Sequence, residues 1–410
     1  MPAVDPNIPQ LRVGGRIYTD FLDLEVSREI DRMSSRFVVH VAERWTDGAK
    51  DPWQIRRFDP FTLSFGNDLV LTGYVDAYRP EFDRASHNVE IVGRSKTQDI
   101  IDCTPDLPGG QFAGYKLDAI ARAIAAPFGI GVIVQADVGD AFPDATIYRH
   151  EKGFEFLERL ARLRSVLLAD DEQGRLVLTT AGSTRATDKL EQGKNIERAS
   201  GELNGANMFS EYRVKTQAGV GTALPDVKSI ATYSSTEPMP PTDTVASQAS
   251  TDATDADAVD VPQTQAVTVT SGIAYDHSVP RFRPHVIIAE SALSADLAQK
   301  RAEWQAKYNN ARGTQITIEV AGWRQSDGSL WKTNTLATVT SKFLQVDAEL
   351  LIAGVTYSLR AGGGSGGGRR TRLRLGPVGG YQPDPGQVKA KKGGKGSAPD
   401  WNGVNSIAGS

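Results

Sequence analysis

The sequence has few of the residues that usually build metal, cofactor and disulfide sites. Its 410 residues include one cysteine, Cys103, and only five histidines. A single cysteine excludes an intrachain disulfide framework and a cysteine-based zinc site, and it suits synthesis in a reducing cytoplasm. The histidines include no i,i+4 pair and no H-E-x-x-H motif; they are His40, His87, His150, His277 and His285. We therefore predict no metal and no cofactor.

Long apolar runs and an excess of charge are also missing. The most apolar window, residues 120–134, is interrupted by Arg122, Pro127 and two glycines, so no membrane-spanning segment is predicted. The first residues have no basic region and no apolar core, so we expect no secretory signal. The formal net charge of −4 gives no sign of a surface that coats nucleic acid. The length predicts two to four globular domains.

Changes in pattern divide the chain into three folded regions and a tail. Residues 11–98 contain five short runs rich in Val, Phe, Tyr and Leu, which predict a small β-barrel. Residues 99–203 contain two amphipathic helices and a hairpin, which predict a separate α+β module. Residues 204–375 return to strand-like sequence and predict a second barrel. Residues 376–410 are rich in Gly, Pro and Lys and predict a flexible tail.

The third region contains two further features. An acidic tract at about 220–270 is poor in large apolar residues, and we expect a mobile insertion there. A helix is predicted over 294–311, with Ser294 as its cap and with Leu297, Trp304 and Tyr308 on one face. Three tryptophans are expected to anchor the core of this region: Trp304, Trp323 and Trp331.

Three pairs of short stretches suggest an internal duplication. "LVLTGYVDAYR" aligns with "LLIAGVTYSLR", and two shorter matches precede it in the same order. Differences in spacing fall where loops tolerate insertion. The predicted fold class is therefore α+β and β-dominated, with two similar small β-barrels. The paired stretches are 69–79 with 350–360, 58–65 with 331–338, and 39–43 with 286–290.

The segment "AGGGSGGG" matches two ligand-binding or catalytic patterns. Gly362, Gly364 and Gly367 fit G-x-G-x-x-G, whereas Gly363, Ser365 and Gly367 fit G-x-S-x-G. Both patterns require a helix immediately afterwards, but "RRTRLRL" alternates as a strand, and no histidine follows the serine. We therefore interpret the segment as the tip of a hairpin.

Two acidic clusters could in principle support chemistry. Asp170, Asp171 and Glu172 occupy a predicted hairpin tip, where solvated acids are common. Asp255 and Asp257 lack the glycine and the final glutamate of an EF-hand loop. We interpret both clusters as solvated, and we predict no catalytic, cofactor-binding or metal-binding residue. The chain is interpreted as non-enzymatic.

The chain resembles the baseplate hub proteins of Mu-like contractile-tailed phages, the tail protein P or late control protein D group. The resemblance covers most of residues 11–375. Residues 151–180 are also similar to the hub part of type VI secretion spike proteins. The segments that carry the resemblance are 72–103, 109–130, 151–180, 209–216, 281–291 and 322–335.

The resemblance implies a structural function. Each subunit would carry two similar barrels, and a homotrimer would form a pseudo-sixfold ring that joins the hexameric tail tube to the trimeric spike. DNA would pass through the ring without being read. The implied partners are the tail tube protein and the central spike protein, with wedge proteins and the tape measure protein as further candidates. The implied location is the virion tail baseplate, after assembly in the host cytoplasm.

Three other functions stay open. A phage-derived injection machine, such as a bacteriocin or a type VI-like system, would use the same ring. A cell-wall hydrolase would need a catalytic pair that the sequence does not contain. A carbohydrate-binding sandwich would be monomeric and would expose aromatic residues. Whether Tyr74 and Tyr357 lie in a core or at a subunit contact cannot be read from the sequence.

Overall fold

A computed structural model describes most of the three predicted regions. The described residues are 5–42, 55–84, 87–106, 110–182, 184–217, 269–289, 295–360 and 368–382. The predicted acidic insertion, the "AGGGSGGG" glycines before Gly368, Ser294 and most of the tail lie outside them. Among the described residues the chain is mainly β, with four α-helices.

Strands and helices are numbered in chain order. Up to residue 203 they are β1 (Pro9–Val13), β2 (Arg16–Tyr18), β3 (Asp23–Glu29), β4 (Arg36–Ala42), β5 (Pro60–Phe65), β6 (Asp68–Phe82), β7 (His87–Ser95), α1 (Gln98–Asp102), α2 (Leu117–Ala125), β8 (Val132–Val134), α3 (Gly153–Arg162), β9 (Leu167–Asp170), β10 (Leu176–Thr179), β11 (Thr184–Arg185), β12 (Leu190–Glu191) and β13 (Ile196–Leu203). The later elements are β14 (Glu211–Gln217), β15 (Val269–Tyr275), β16 (Pro284–Ile288), α4 (Ala295–Arg312), β17 (Thr314–Ala321), β18 (Thr335–Ser341), β19 (Val346–Arg360) and β20 (Gly368–Gly376).

Fourteen of these strands form one sheet, which we call the large sheet. Its main path runs β13-β17-β20-β19-β3-β4-β7-β6-β5-β1-β2, and β18 joins β19 while pairing with β11 and β12. The strands alternate as the sequence predicts: in β5, Phe61, Leu63 and Phe65 point into the core while the residues between them do not. The large sheet therefore unites strands from both ends of the chain.

The two halves of the large sheet share one strand order. In the first half the order is β3-β4-β7-β6-β5, and in the second half it is β13-β17-β20-β19-β18, with every neighbour antiparallel. Both halves contain a 15-residue strand, β6 or β19, with a bulge where it pairs with the following strand. This repeated connectivity agrees with the duplication that the sequence predicts.

The residue alignment behind that prediction needs two corrections. The match of 39–43 with 286–290 is wrong, because β4 corresponds in strand order to β17, whereas β16 belongs to another sheet. The match of 58–65 with 331–338 is out of register by one residue: Leu63 pairs with Leu71, but Leu336 pairs with Leu351 rather than with Ile352. Short alternating strands resemble one another wherever they lie, so such matches can select the wrong strand as well as the wrong register.

One hydrophobic core serves both halves of the large sheet. Phe65 from the first half stacks on Trp323 from the second, with ring centroids 3.9 Å apart, and meets Tyr357 edge to face. Strands β3 and β19 pair directly and join the halves edge to edge. The path of paired strands ends at β2 and β13, so the described strands form a continuous open sheet rather than two separate closed barrels.

A lateral module follows the first half of the large sheet. It comprises Gln98–Thr179, with α2 and α3 packed on a three-stranded sheet in the order β8-β10-β9. The helix and hairpin predictions are confirmed, and Leu117, Ile120 and Ile124 line the buried face of α2. Residues 184–203, which the sequence analysis assigns to this module, instead pair with the large sheet as β11, β12 and β13.

A second small unit, the small sheet, consists of β14, β15 and β16 with α4 packed on one face. The helix prediction is confirmed, but the expected face is wrong. Ala298, Ala302 and Ala306 are buried against the sheet, whereas Trp304 and Tyr308 are only half-buried. Alanines at i,i+4 spacing allow the helix axis to approach the strands closely, because they add little side-chain volume.

The first residues of the predicted tail are packed rather than flexible. Val378–Tyr381 form a 3-10 helix against α4, and Gly380 is buried there. A Cβ at Gly380 would lie 3.0 Å from the Cβ of Ala311, so glycine permits this close approach. The predicted start of the tail at residue 376 is therefore too early, because this turn still belongs to the folded part of the chain.

Candidate assembly surfaces

The residues of the two glycine patterns, 362–367, lie outside the described residues. The flanking strands β19 and β20 pair antiparallel as far as Arg360 with Gly368, which agrees with the interpretation of the segment as a hairpin connection. Within the described residues, no group of three or more His, Cys, Asp or Glu side chains could hold a metal ion. Cys103 is an exposed free thiol. None of the helices in the described ranges is long and apolar enough to cross a membrane.

The predicted acidic cluster forms a buried contact between the lateral module and the large sheet. The carboxylate of Asp170 accepts hydrogen bonds from the Ser35 backbone amide, at 3.0 Å, and from the Ser35 hydroxyl, at 2.7 Å. Arg28 on β3 donates to the Asp170 carbonyl, at 3.0 Å, and to Glu172, at 2.9 Å. We call Arg28, Ser35, Asp170 and Glu172 the Asp170 network. The expectation of solvated acids is wrong for Asp170, which is buried.

The pKa values of the two carboxylates in the network are shifted in opposite directions. Burial raises the pKa of Asp170, although the charge of Arg28 and the Ser35 hydrogen bonds oppose the rise. Burial also acts to raise the pKa of Glu172, but the nearby charge of Arg28 and hydrogen bonding outweigh it and leave that pKa lowered. Glu172 therefore provides the stable negative charge that Arg28 needs at neutral pH.

A glycine brings the β9–β10 turn close to the large sheet. Gly174 has φ +73°, and a Cβ there would lie 2.7 Å from the Thr72 carbonyl oxygen. Any side chain would thus meet both backbone strain and a steric clash. This turn and the Asp170 network fix the lateral module against β3 and β6. The sequence signal was the glycine that ends "DDEQG", but the sequence does not show what the turn contacts.

A cavity of about 500 Å³ lies where the two halves and the lateral module meet. Tyr357 and Trp331 line it, and the Tyr357 hydroxyl donates to the Trp331 carbonyl. Burial raises the pKa of Tyr357 above its ordinary range. Tyr357 is thus a core residue, whereas Tyr74 is half-buried on β6. The predicted core positions of Trp323 and Trp331 are confirmed.

Trp304 lies at a different kind of site from the other two tryptophans. It stacks on Tyr308, with ring centroids 4.8 Å apart, and its indole N–H donates to the Gln382 carbonyl at 2.9 Å. Both rings line a half-open cavity of about 370 Å³ that Ile30 and Phe154 also line. The expectation that Trp304 is a core anchor is wrong, because alanines rather than aromatic residues form the buried face of α4.

A mixed-charge face lies on the large sheet opposite the core. Alternation along β20 places Arg370, Arg372 and Arg374 on this face, as the pattern "RRTRLRL" predicts. Arg370 pairs with Glu197 at 2.8 Å, and Arg374 pairs with Asp31 at 2.7 Å. A cavity of about 910 Å³ opens here between β3 and β13. Because both signs are present, this face does not have the basic character of a nucleic-acid site.

The small sheet has an apolar outer face opposite α4. Its exposed apolar residues are Ile273, Tyr275, Val286 and Ile288, and Arg213 and Lys215 lie between them on β14. These six residues are called the small-sheet outer face. The small sheet is mixed, with β14 antiparallel to β15 and parallel to β16, and a solvated sheet face usually carries polar residues. The grouped apolar side chains make this face a candidate contact surface.

Open strand edges are the other common route to assembly, but the long edge of the large sheet is protected. Among the described strands, β13 pairs with β17 alone, and it has a bulge between Ile196 and Arg198. It also carries Glu197 and Glu202 on its exposed length. Bulges and charges of this kind discourage pairing with another chain. The small-sheet outer face is therefore the stronger candidate for a contact.

Three family models match successive parts of the chain. Residues 9–95 match the N-terminal domain of the Mu phage baseplate assembly protein GpP-like family. Residues 97–180 match the second domain of the baseplate hub protein gp44-like family, and residues 294–384 match the fourth domain of the Mu phage baseplate assembly protein GpP. The chain belongs to the family of Mu-like phage baseplate hub proteins, which are structural proteins of the phage tail.

One relative that supports this assignment over nearly the whole chain is the baseplate hub protein gp44 of Escherichia phage Mu. The two sequences are 32% identical over 393 residues, which cover 95% of this chain and 93% of the relative. The resemblance stated from the sequence is thereby confirmed at the level of the family.

Two solved structures have the same fold over nearly the whole chain. The 43 kDa tail protein of prophage MuSo2 from Shewanella oneidensis is 28% identical, with a TM-score of 0.73, and the match covers 92% of this chain and 100% of that one. The tail protein from Neisseria meningitidis MC58 is 19% identical, with a TM-score of 0.67 and coverages of 92% and 98%.

Proposed function

We propose that this protein is the baseplate hub of a phage tail and that it acts as a homotrimer. Three copies would present six similar sheet halves in a pseudo-sixfold ring. The ring would join the hexameric tail tube to the trimeric spike, and DNA would pass through its centre during ejection. The observation that carries this proposal is the strand order shared by β3-β4-β7-β6-β5 and β13-β17-β20-β19-β18.

The repeated strand order supports the proposal by symmetry. A trimer of a chain with one unit can match only threefold partners, whereas two like units per chain give six similar positions around one axis. We assign the two barrel-like units to residues 9–95 and to the combined residues 184–203 and 314–376. The pairing of β3 with β19 would hold the two units of one subunit side by side in the ring.

The other regions would brace the ring and contact its neighbours. The lateral module is fixed to β3 and β6 through the Asp170 network and the Gly174 turn, so a force on it would reach the large sheet directly. We propose the tube protein and the spike protein as partners, with wedge and tape measure proteins at the periphery and centre. Assembly would take place in the host cytoplasm before incorporation into the virion.

Mass measurement in solution tests this proposal. Light scattering coupled to size exclusion should give three times the chain mass of 44.2 kDa. Class averages from electron microscopy should then contain six similar lobes around a central opening. A protein that stays monomeric, both alone and when mixed with the spike protein of the same phage, would contradict the trimeric ring. Clearing of peptidoglycan in a zymogram would contradict the non-enzymatic assignment.

A further inference from the structure

We propose that the turn before β5 is a docking point for a partner protein that presents an apolar pocket rimmed by carboxylates. The proposal rests on the trimeric hub proposed above and adds one contact and the number of times it is repeated. The contact consists of Arg56, Arg57 and Phe58, which we call the Phe58 corner. All three side chains are exposed, and Phe58 is 79% exposed.

Phe58 has a backbone conformation that a phenylalanine rarely adopts. Its φ is +72°, in the left-handed region, where the side chain of an L-residue crowds the backbone. Such a conformation persists only where surrounding contacts hold it, and strained residues of this kind concentrate at functional sites. The other described non-glycine residues with positive φ are all polar: His150, Ser165, Asn334 and Gln345.

Hydrogen bonds to β6 hold the backbone of the corner in place. The Phe58 amide donates to the Val75 carbonyl at 2.7 Å, and the Val75 amide donates to the Asp59 carbonyl at 3.0 Å. The Asp59 carboxylate accepts a further hydrogen bond from the Arg56 amide, at 2.8 Å, and Ile55 is buried in the core. The backbone is thus fixed before any partner binds, which lowers the ordering cost of a contact with the exposed ring.

The second half of the large sheet has the same corner with a different residue. The Asn334 amide donates to the Ile352 carbonyl at 2.9 Å, and Asn334 has φ +62°. Val75 and Ile352 are each the last paired residue before the bulge of a 15-residue strand. Asparagine tolerates the left-handed region, and the Asn334 side chain accepts a hydrogen bond from the Gly182 amide at 2.8 Å.

The difference between the two corners points to an external role for Phe58. Asn334 suits its backbone and uses its side chain within the chain, where it also donates to the Thr180 carbonyl at 2.9 Å. Phe58 is strained at the equivalent position and leaves its ring in solvent, so the folded chain gains little from the ring. A contact with a partner, in which the ring becomes buried, accounts for a phenylalanine here.

The two arginines determine the chemistry of the partner. Within the described ranges neither Arg56 nor Arg57 forms an ion pair, so both charges are available. Aromatic and arginine side chains dominate binding energy at many protein interfaces, where pockets bury the rings and carboxylates pair with the guanidiniums. Nucleic acid is a poorer match, because binding to phosphates requires many cations and Asp59 adjoins the corner.

Symmetry sets the number of these contacts in the ring. Each chain has one Phe58 corner and one corner at Asn334, so a trimer with six sheet halves has three of each. The Asn334 corners are engaged with Thr180 and Gly182 of their own chains. A partner that docks on Phe58 would therefore bind in three copies, or as one trimer, and not in six copies.

Substitution by asparagine separates backbone strain from docking. F58N should raise the midpoint of thermal unfolding by about 1–3 °C, because asparagine suits this backbone and little buried surface is lost. F343N is the matched control, since Phe343 is 85% exposed and does not have a positive φ, and it should leave the midpoint unchanged. A structural role for the Phe58 ring predicts the opposite sign, so a lower midpoint in F58N would overturn the inference.

Complementation of a phage that lacks its hub gene tests docking. F58N and the double variant R56E/R57E should each lower the titre of infectious particles about 30-fold or more, while light scattering should still give the wild-type mass. F343N should complement like wild type. An unchanged titre for F58N would overturn the inference. A loss of the trimer in F58N would also overturn it, because Phe58 would then lie between copies of the chain.

Photo-crosslinking in purified particles identifies the partner. With p-benzoylphenylalanine at position 58, the hub should form an adduct with one other virion protein, at apolar residues that have Asp or Glu beside them. The same probe at position 343 is the control and should not give this adduct. An adduct with a second hub chain or with DNA would overturn the inference. A wild type that stays monomeric would overturn the trimer and the number of three copies, whereas the titre and the adduct would still decide whether Phe58 docks a partner.

Discussion

The carboxylate of Asp170 connects two parts of the molecule with several hydrogen bonds at one point. Ser35 supplies a backbone amide and a hydroxyl, and Arg28 adds its charge nearby. Buried polar groups of this kind contribute modestly when complete, but the loss of one partner leaves the others unsatisfied. The energetic effect of substitution should therefore far exceed that of an exposed acid in the same module.

Replacing Asp170 tests how much the Asp170 network contributes to stability. D170A should lower the free energy of unfolding by about 2–4 kcal/mol, because the Ser35 amide and hydroxyl lose their acceptor in a buried position and Arg28 loses a nearby negative charge. D144A is the control, since Asp144 is exposed in the same module, and it should change stability by less than about 0.5 kcal/mol. Urea denaturation monitored by circular dichroism measures both. Equal effects would show that the Asp170 network does not support the lateral module.

The lowered pKa of Glu172 predicts a dependence on pH. Because its pKa is lower in the folded protein, Glu172 adds stability above the pKa of an unfolded glutamate, about 4.3, and this contribution is lost as the pH falls through the folded value. Asp170 has the opposite sign, because its raised pKa makes protonation favourable in the folded state as the pH falls.

The variant E172Q tests the contribution of Glu172 to stability separately from that of Asp170. It should be about 1 kcal/mol less stable than wild type at pH 7, since Arg28 loses its charged partner, and the difference should shrink below about pH 4.3. E158Q is the control, because Glu158 forms an exposed i,i+4 pair with Arg162. Denaturant titrations at both pH values measure the differences. A difference in unfolding free energy between E172Q and wild type that grows in acid would contradict the role assigned to Glu172.

At the scale of secondary-structure elements, the packing of α4 on β15 depends on small residues on both sides. Ala298 and Ala302 face the sheet, and Gly272 lies opposite them on β15. A Cβ at Gly272 would lie 2.3 Å from the backbone carbonyl carbon of Ala298, which is closer than real contacts allow. The helix must therefore move before any side chain fits at this position.

The variant G272A tests that close approach. It should destabilise the small sheet by about 2 kcal/mol or more, because backbone rather than a flexible side chain blocks the new methyl group. G205A is the matched control, since a Cβ at Gly205 would meet nothing within 4 Å, and it should be neutral or slightly stabilising. Hydrogen exchange at β14 and β15 amides locates the effect. Unchanged protection in G272A would contradict the packing described here.

The sequence predicted elements well and their partners poorly. Apolar residues at helical spacing located α2, and the alternation of Phe61, Leu63 and Phe65 located β5. The aromatic Trp304 misled the assignment of the α4 face, because the burial of alanines depends on how closely the sheet approaches and not on hydrophobicity alone. The run "RIYTDFLDLEVSREI", one of the five that predict strands in residues 11–98, divides into β2 and β3 with a short irregular segment between them.

At the scale of the whole molecule, the sequence predicted the duplication but not the pairing of its two halves in one sheet. The similar apolar patterns of β6 and β19 indicated the duplication, because both patterns are local in sequence. The pairing of β3 with β19 depends on edges far apart in the chain, which no local pattern encodes. The role of Asp170 was missed for the same reason, because its donors come from residues 28 and 35.

The union of β3 with β19 also has a consequence for how the chain is made. One edge of β3 pairs with β4, but on its other edge seven residues find their partners in β19, and Arg374 meets Glu29 across 345 positions of sequence. At roughly 5–20 residues per second, the ribosome needs tens of seconds to deliver the later strand. During that interval the edge of β3 that pairs with β19 has no partner in the nascent chain. Folding of the large sheet must therefore be completed, rather than started, by the carboxyl-terminal third.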